Sequence, residues 1–426
     1  MKRIFLYAMM AAGVLASCSQ SENDGLPESG DIVDLSPSAD AILISAVSPS
    51  VSVTTSSTRS SGSVGADGTV LSNVWSGQEL HIFAFQKNVE TGKTIGEKIT
   101  TDVTKLPFYD KVGIADNEAK VALRWKDNLP LYFPRSGAYD FFGYYADDAL
   151  TGAPQVGANT LYAPFTIDGS HDLMIAKAVL TNDDKALEGF IEADWNKAYS
   201  SYTARKGVQP TMKFEHLLTR LVFKVQGMGN AHPENVYVKA VRVKSKATGK
   251  LVFAYVEDTD KGAIFDGELV DLSLQERRSG TMQPLDADVT VDEANLPSTK
   301  DEAGLLGNYP ASVKGSAEAT VIGEALLVEP SEKYEIEVDV VQYYHANGEL
   351  IPSTESRKYT YKETLNATDV VKEDGEPITK FAASASYNVT IQVYGLEAIK
   401  LTAELGEWVS GGDIIVNPED RFEDAK

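Results

Sequence analysis

Few residues of this chain have types and spacings that could do chemistry. Its five His, at 81, 171, 216, 232 and 345, include no pair at the i, i+4 spacing that sets two imidazoles on one helical face to hold a metal. One Cys, Cys18, excludes an intrachain disulfide and the structural zinc sites built from three or four thiolates. Gly92-Lys93-Thr94 has the ending of a phosphate-binding loop, but Lys87 stands where the earlier Gly is required. Asp258, Asp260 and Gly262 begin like a calcium loop, yet Ala263 and Leu269 occupy the positions that need the turn Gly and the bidentate Glu, so a turn between strands is expected. A Ser-His-Asp triad assembles from distant positions, and no Gly-x-Ser-x-Gly elbow marks a nucleophile. His81 and His216 fall within predicted strands, where a structural role is expected. Asp147-Asp148 is the local carboxylate pair that could serve a glycosidase; as neighbours in a strand the two would point to opposite faces. The aromatic run Tyr139, Phe141, Phe142, Tyr144, Tyr145 reads either as a carbohydrate platform or as a core strand with tyrosines at its edge, and the frequency of aromatics in strands favours the core. The expectation is a protein that is not an enzyme and needs no cofactor.

The elements behind these residues are mainly strands. Tyr334, Ile336, Val338 and Val340 alternate with Glu335, Glu337 and Asp339, which describes a strand with one buried and one wet face. Tyr387 to Val393 alternates in the same way, and Ile399, Leu401, Ala403 and Leu405 follow after a turn at Gly395. Further strands are expected at 41–47, 79–86, 120–125, 138–146, 217–225, 235–243 and 250–256. Leu187, Phe190, Ile191 and Trp195 fall at helical spacing, which predicts one helix over 184–199. The acidic stretch 284–314 has no clear period and reads as a long loop or insertion. With 426 residues, the chain suits two or three domains. A boundary near 211 gives an N-terminal β-sandwich over 41–211 and a C-terminal one over 212–426. A net charge of -23, from 62 acidic against 39 basic residues, excludes the clustered cations that nucleic-acid binding requires.

The first 17 residues carry Lys2 and Arg3, an apolar run from Ile4 to Leu15, and small residues before Cys18. The run is too short for a membrane span and has the form of a secretory signal. Leu15-Ala16-Ser17-Cys18 resembles the lipobox of bacterial lipoproteins, which implies acylation at Cys18 and cleavage just before it. Residues 18–40 are polar, acidic and turn-rich, as a tether would be. Membrane attachment is therefore expected through the lipid on Cys18.

A wider resemblance rests on four segments. The lipobox Cys, the period-two body, the strand Phe214-Glu-His-Leu-Leu-Thr-Arg-Leu-Val-Phe-Lys-Val225, and the ending Ser386-Tyr-Asn-Val-Thr-Ile-Gln-Val with Leu401-Thr-Ala-Glu-Leu-Gly-Glu-Trp408 are similar to the fimbrillin family, the type V pilins. Leu131-Tyr-Phe-Pro134 and Asp172-Leu-Met-Ile-Ala-Lys177 are similar to first-domain segments of fimbrillin-like lipoproteins. The resemblance implies an all-β chain of two tandem transthyretin-like sandwiches, with a short helix in the first, carried to the outer membrane and cell surface as a lipoprotein and built into a fimbrium. It further implies that an Arg-specific protease cuts after the first strand, here 41–53, and that the loss opens a groove for a strand of another pilin subunit. Arg59, in the stretch Thr54-Thr-Ser-Ser-Thr-Arg59-Ser-Ser-Gly-Ser63, matches that processing site. The donor candidates are the C-terminal apolar strands that hold Ile399, Leu401, Trp408, Val409, Ile414 and Ile415. The alternative is a surface lipoprotein that does not polymerise and binds a glycan or a host protein.

Overall fold

The computed structural model describes residues 40–48, 75, 77–96, 99, 108–115, 120–227, 236–278, 281–285, 319–346, 349–370, 376–395 and 398–406. The chain is all-β, with sheets stacked face to face and, among the described residues, a few short helices, most of them within 182–204.

The centre is a six-stranded sheet in the order Glu215–His216, Met174–Lys177, Ala138–Tyr145, Gln78–Lys87, Lys111–Ala115, Arg124–Trp125. Both of its faces are buried. In Gln78–Lys87, Leu80, Ile82 and Ala84 enter one core, while Phe83 and Phe85 enter the other. Ala138–Tyr145 divides likewise, Phe141 to one side and Phe142 and Tyr144 to the other. Alternation of side chains across a strand therefore serves two cores instead of one core and solvent.

On the Phe83 side, the core continues into the sheet built around Val236–Tyr255, a strand of 20 residues. Lys333–Ala346, Gly262–Ser273 and Thr160–Thr166 all pair with it antiparallel, and Glu349–Asn366 pairs with Lys333–Ala346. Sequence periodicity predicted two strands over 235–256; they are one strand, with register shifts between Val238 and Ala240, Lys246 and Thr248, and Val252 and Ala254. Thr160–Thr166 precedes residue 211 in the chain and lies in a sheet whose other long strands follow it. The 3-10 turn Asp258–Asp260 and Gly262, at φ 111°, connect Val236–Tyr255 to Gly262–Ser273, which is the turn expected of that failed calcium loop. A further sheet runs Thr320–Val321, Thr219–Gly227, Ser386–Gly395, Ala398–Gly406, with Ala398–Gly406 at its end among the described residues.

The single helix predicted over 184–199 is corrected by the structure. It is an α-helix Asn182–Ala186, a 3-10 helix Glu192–Lys197 and an α-helix Ser201–Ala204. Gly189, at φ 76°, takes the left-handed conformation that ends helices, and Ile191 is exposed, so no continuous apolar stripe exists. Capping boxes of Thr181 with Asp184 and Ser200 with Thr203 start each α-helical turn afresh.

Candidate functional site

Residues 40–48 form the feature with the clearest functional consequence. Their strand, Ser45–Val47, lies between Thr211–Lys213, to which it is parallel, and Lys120–Ala122, to which it is antiparallel. Both neighbours are far away in sequence, so this strand closes a gap between them. The inward positions alternate as the sequence predicts: Ile42 is 2%, Ile44 1% and Ala46 0% exposed, whereas Leu43, facing out, is 53% exposed. Main-chain hydrogen bonds extend beyond the ladder. The Ile42 N–H donates to the Leu131 carbonyl at 2.8 Å and the Ser45 N–H to that of Pro210 at 3.0 Å. The segment's own carbonyls at Asp40, Ile44 and Val47 accept from Phe133, Leu123 and Phe214 at 2.9, 2.8 and 3.1 Å.

Side chains fix the register at three points. At the start, Arg205 Nε and Nη2 donate to the two oxygens of Asp40 at 2.7 and 2.8 Å, and Ser201 Oγ donates to Asp40 Oδ1 at 3.0 Å. The Arg205 hydrogen bonds hold the Asp40 carboxyl below its ordinary value, against an opposing contribution from burial. Next, the Gln209 amide donates to the Ala41 carbonyl and accepts from the Leu43 N–H, at 3.0 and 3.1 Å. At the far end, the buried Trp75 indole donates to the Ala46 carbonyl at 3.3 Å and packs edge-on against Phe214, with ring centroids 5.5 Å apart. The chain thus passes from Ser48 through residues 49–74, which include Arg59, and returns at Trp75 to cover the strand it has left. Asp40, Trp75, Arg205 and Gln209 carry no motif in the sequence. Alternation at 42–46 is the one local signal.

Of the residues singled out from sequence, Cys18, Arg59, Trp408, Val409, Ile414 and Ile415 lie outside the described residues. Ile399 and Leu401 belong to Ala398–Gly406, where they pair with Val393 and Ile391 of Ser386–Gly395.

The other chemical candidates are arranged for structure. Tyr144 is 3% exposed, stacked on His81 with centroids 4.7 Å apart and packed on Phe253 at 4.6 Å, so it offers no open platform to a sugar. Asp147 and Asp148 sit in a turn after the strand instead of within it, Asp147 at φ 46°. Contrary to the opposed arrangement expected of strand neighbours, both line one cavity of about 580 Å³, together with Glu79, His81 and Tyr145. Burial raises the Asp147 carboxyl, while the Tyr145 hydroxyl, donating to it at 2.7 Å, opposes the shift. His216 is buried with its Nδ1 2.7 Å from Asp172, and the hydroxyl of Ser384 donates to the His216 carbonyl and not to its ring. Thr94 of the failed phosphate loop donates to Asp140 at 2.6 Å within a hairpin. Among the described residues no three His, Cys, Asp or Glu cluster so as to hold a metal ion.

No protein-family model and no curated protein matches the chain. Among solved structures, it is similar to a fimbrial protein from Bacteroides vulgatus, at 15% identity and a TM-score of 0.40, over 78% of this chain and 93% of that one. It is also similar to the fimbrial anchor protein Mfa2 from Porphyromonas gingivalis, at 10% identity and a TM-score of 0.32, over 87% of this chain and 99% of the other. Both are fimbrial proteins by description.

Proposed function

We infer that the protein is a structural subunit of surface fimbriae. It is exported as a lipoprotein precursor, held to outer-membrane lipid through Cys18, and cut after Arg59. It then assembles by strand exchange, in which a strand of another subunit replaces residues 40–48, and the resulting filament supports adhesion. The observation that carries this reading is the placement of 40–48. One short strand fills a gap between strands distant in sequence, and a stretch containing the candidate cleavage site follows it directly. Its departure would expose the pockets of Ile42, Ile44 and Ala46 together with unpaired main-chain groups on Thr211–Lys213 and Lys120–Ala122. Those groups are what an incoming strand satisfies. The chain carries no catalytic role in this reading.

The test is to treat the lipid-free protein with an Arg-specific, trypsin-like protease and to follow mass and size. Cleavage at Arg59, loss of the N-terminal piece and growth of oligomers are expected. A chain that resists cutting there, or that stays monomeric after losing the segment, refutes the reading.

A further inference from the structure

We propose that the cavity lined by Val89, Arg135, Lys197, Ser201 and Tyr202 binds a sugar that carries one carboxylate, with Arg135 as the residue that receives the charge. Its use rests on the adhesion reading above; binding itself needs no strand exchange.

The cavity has a volume of about 410 Å³, within the range of about 300–1,000 Å³ that small-ligand sites occupy. Its walls are fixed to one another. The Asn196 amide donates to the Glu90 carbonyl at 3.2 Å, which holds the turn bearing Val89 against the 3-10 helix Glu192–Lys197. Gly92 in that turn approaches so closely that a Cβ there would fall 2.4 Å from Asn196 Oδ1. The Tyr139 N–H donates to the Tyr199 carbonyl at 3.0 Å, which ties the strand after Arg135 to the stretch that bears Tyr202. The Tyr202 hydroxyl donates to Asp194 Oδ2 at 3.3 Å, and the buried Lys206 ammonium lies 4.5 Å from the ring centroid. A site held in this way loses little freedom when a ligand arrives, which lowers the cost of binding.

Two chemistries meet in the lining. Arg135 and Lys197 are its cations, and no carboxylate stands among its described residues. Lys197 Nζ donates to Asp194 at 2.9 Å and has donors to spare. Arg135 is exposed and has no hydrogen-bond or ion-pair partner among the described residues, so its fork of donors is open to a carboxylate. Val89 and Tyr202 supply apolar surface, 45% and 37% exposed, on which the C–H groups of a sugar ring pack. Tyr202 is thus the open aromatic that the buried Tyr144 is not. Ser201 Oγ gives its proton to Asp40 and keeps lone pairs that accept from a sugar hydroxyl. The rest of the molecule narrows the choice. A net charge of -23 repels a polyanion, so a ligand with a single negative charge is favoured. A bare phosphate would leave Val89 and the Tyr202 ring uncovered. The larger cavity, lined by Glu79, Asp147 and Asp148, has the opposite sign and would reject the same ligand.

The experiment uses the uncleaved, lipid-free chain and saturation-transfer NMR, which reads weak binding of small ligands. The probes are the methyl glycosides of glucuronic acid, N-acetylneuraminic acid and glucose, with inorganic phosphate as competitor. At least one acidic glycoside is expected to bind about tenfold or more tightly than the glucoside. Arg135→Gln should remove that preference, and Arg135→Lys should retain only part of it, because an ammonium lacks the fork. Val89→Asp should abolish binding of the acidic glycoside by placing a like charge in the cavity. Both positions are exposed, so the variants are expected to unfold at the temperature of the parent. Equal binding of acidic and neutral glycosides overturns the proposal, as does a preference that survives Arg135→Gln. Phosphate that displaces the acidic glycoside at or below the glycoside's own dissociation constant assigns the cavity to a bare anion and also overturns it. If no glycoside binds, the cavity is not a sugar site, and the strand-exchange reading, tested on cleaved protein, stands untouched.

Discussion

If residues 40–48 leave as a unit, weakening their burial should loosen them without loosening the fold. Ile44→Ala tests this. Ile44 is 1% exposed and packs in the core shared by Trp75, Ile82 and Phe141. Removing its outer methyl groups from such a site costs about 3 kcal/mol, within the span known for buried Ile to Ala changes, or roughly 150-fold in an opening constant. The assay is native-state hydrogen exchange. The amides of Ile42, Ser45, Leu123 and Phe214, each bonded across the edge of the segment, should exchange faster by about that factor. The amides of Val338 and Val340, in the other core, should not change. Leu43→Ala on the same strand is the control, since Leu43 faces solvent and its loss is expected to matter by less than about 0.5 kcal/mol. Equal acceleration everywhere, Val338 included, would mean that the segment is released only by global unfolding, and the idea of a detachable strand would be refuted.

Three further outcomes are expected. Asp40 has a depressed carboxyl, so its contribution is complete above the ordinary value of 3.8 and is lost as pH falls through the lower folded value. Protection of the Phe133 amide, which bonds the Asp40 carbonyl, should therefore drop on acidification below about pH 4, and Asp40→Asn should remove that dependence. The full chain carries a net charge of -23 and the part after Arg59 stays strongly acidic, so oligomer growth after cleavage, followed by light scattering, should be faster in about 0.15 M salt than in 0.01 M, where the screening length is about 30 Å. Cys18→Ser should abolish acylation, read as loss of the acyl mass and a shift of the protein from the detergent to the aqueous phase.

Strands with one wet face were readable because their alternation is complete. Lys333–Ala346 and Ser386–Gly395 follow the expected residues closely. Strands without that contrast were not readable. Glu349–Asn366 is largely polar, Thr160–Thr166 contains Pro164, and Gly262–Ser273 has a mostly exposed middle. Pairing with the long Val236–Tyr255 strand, directly or through Lys333–Ala346, places all three, and such pairing leaves no periodic trace in the sequence of the recruited strand. The site shows the same division. Ile42, Ile44 and Ala46 are visible as an alternating run, while Arg205 and Gln209 reach that run from more than 160 positions away. The predicted helix does not form as one element because Gly189, at φ 76°, interrupts it, and helical spacing of apolar residues carries no sign of that break.

Val236–Tyr255 has a mechanical consequence. At about 3.3 Å per residue its 20 residues reach up to about 65 Å, less what the bulges take up. Lys333–Ala346 and Gly262–Ser273 run antiparallel alongside, so a pull along the strand axis loads many inter-strand bonds at once in shear. Peeling at right angles would break them one after another. A tether in moving fluid that draws its subunits along this direction would meet their stiffest axis.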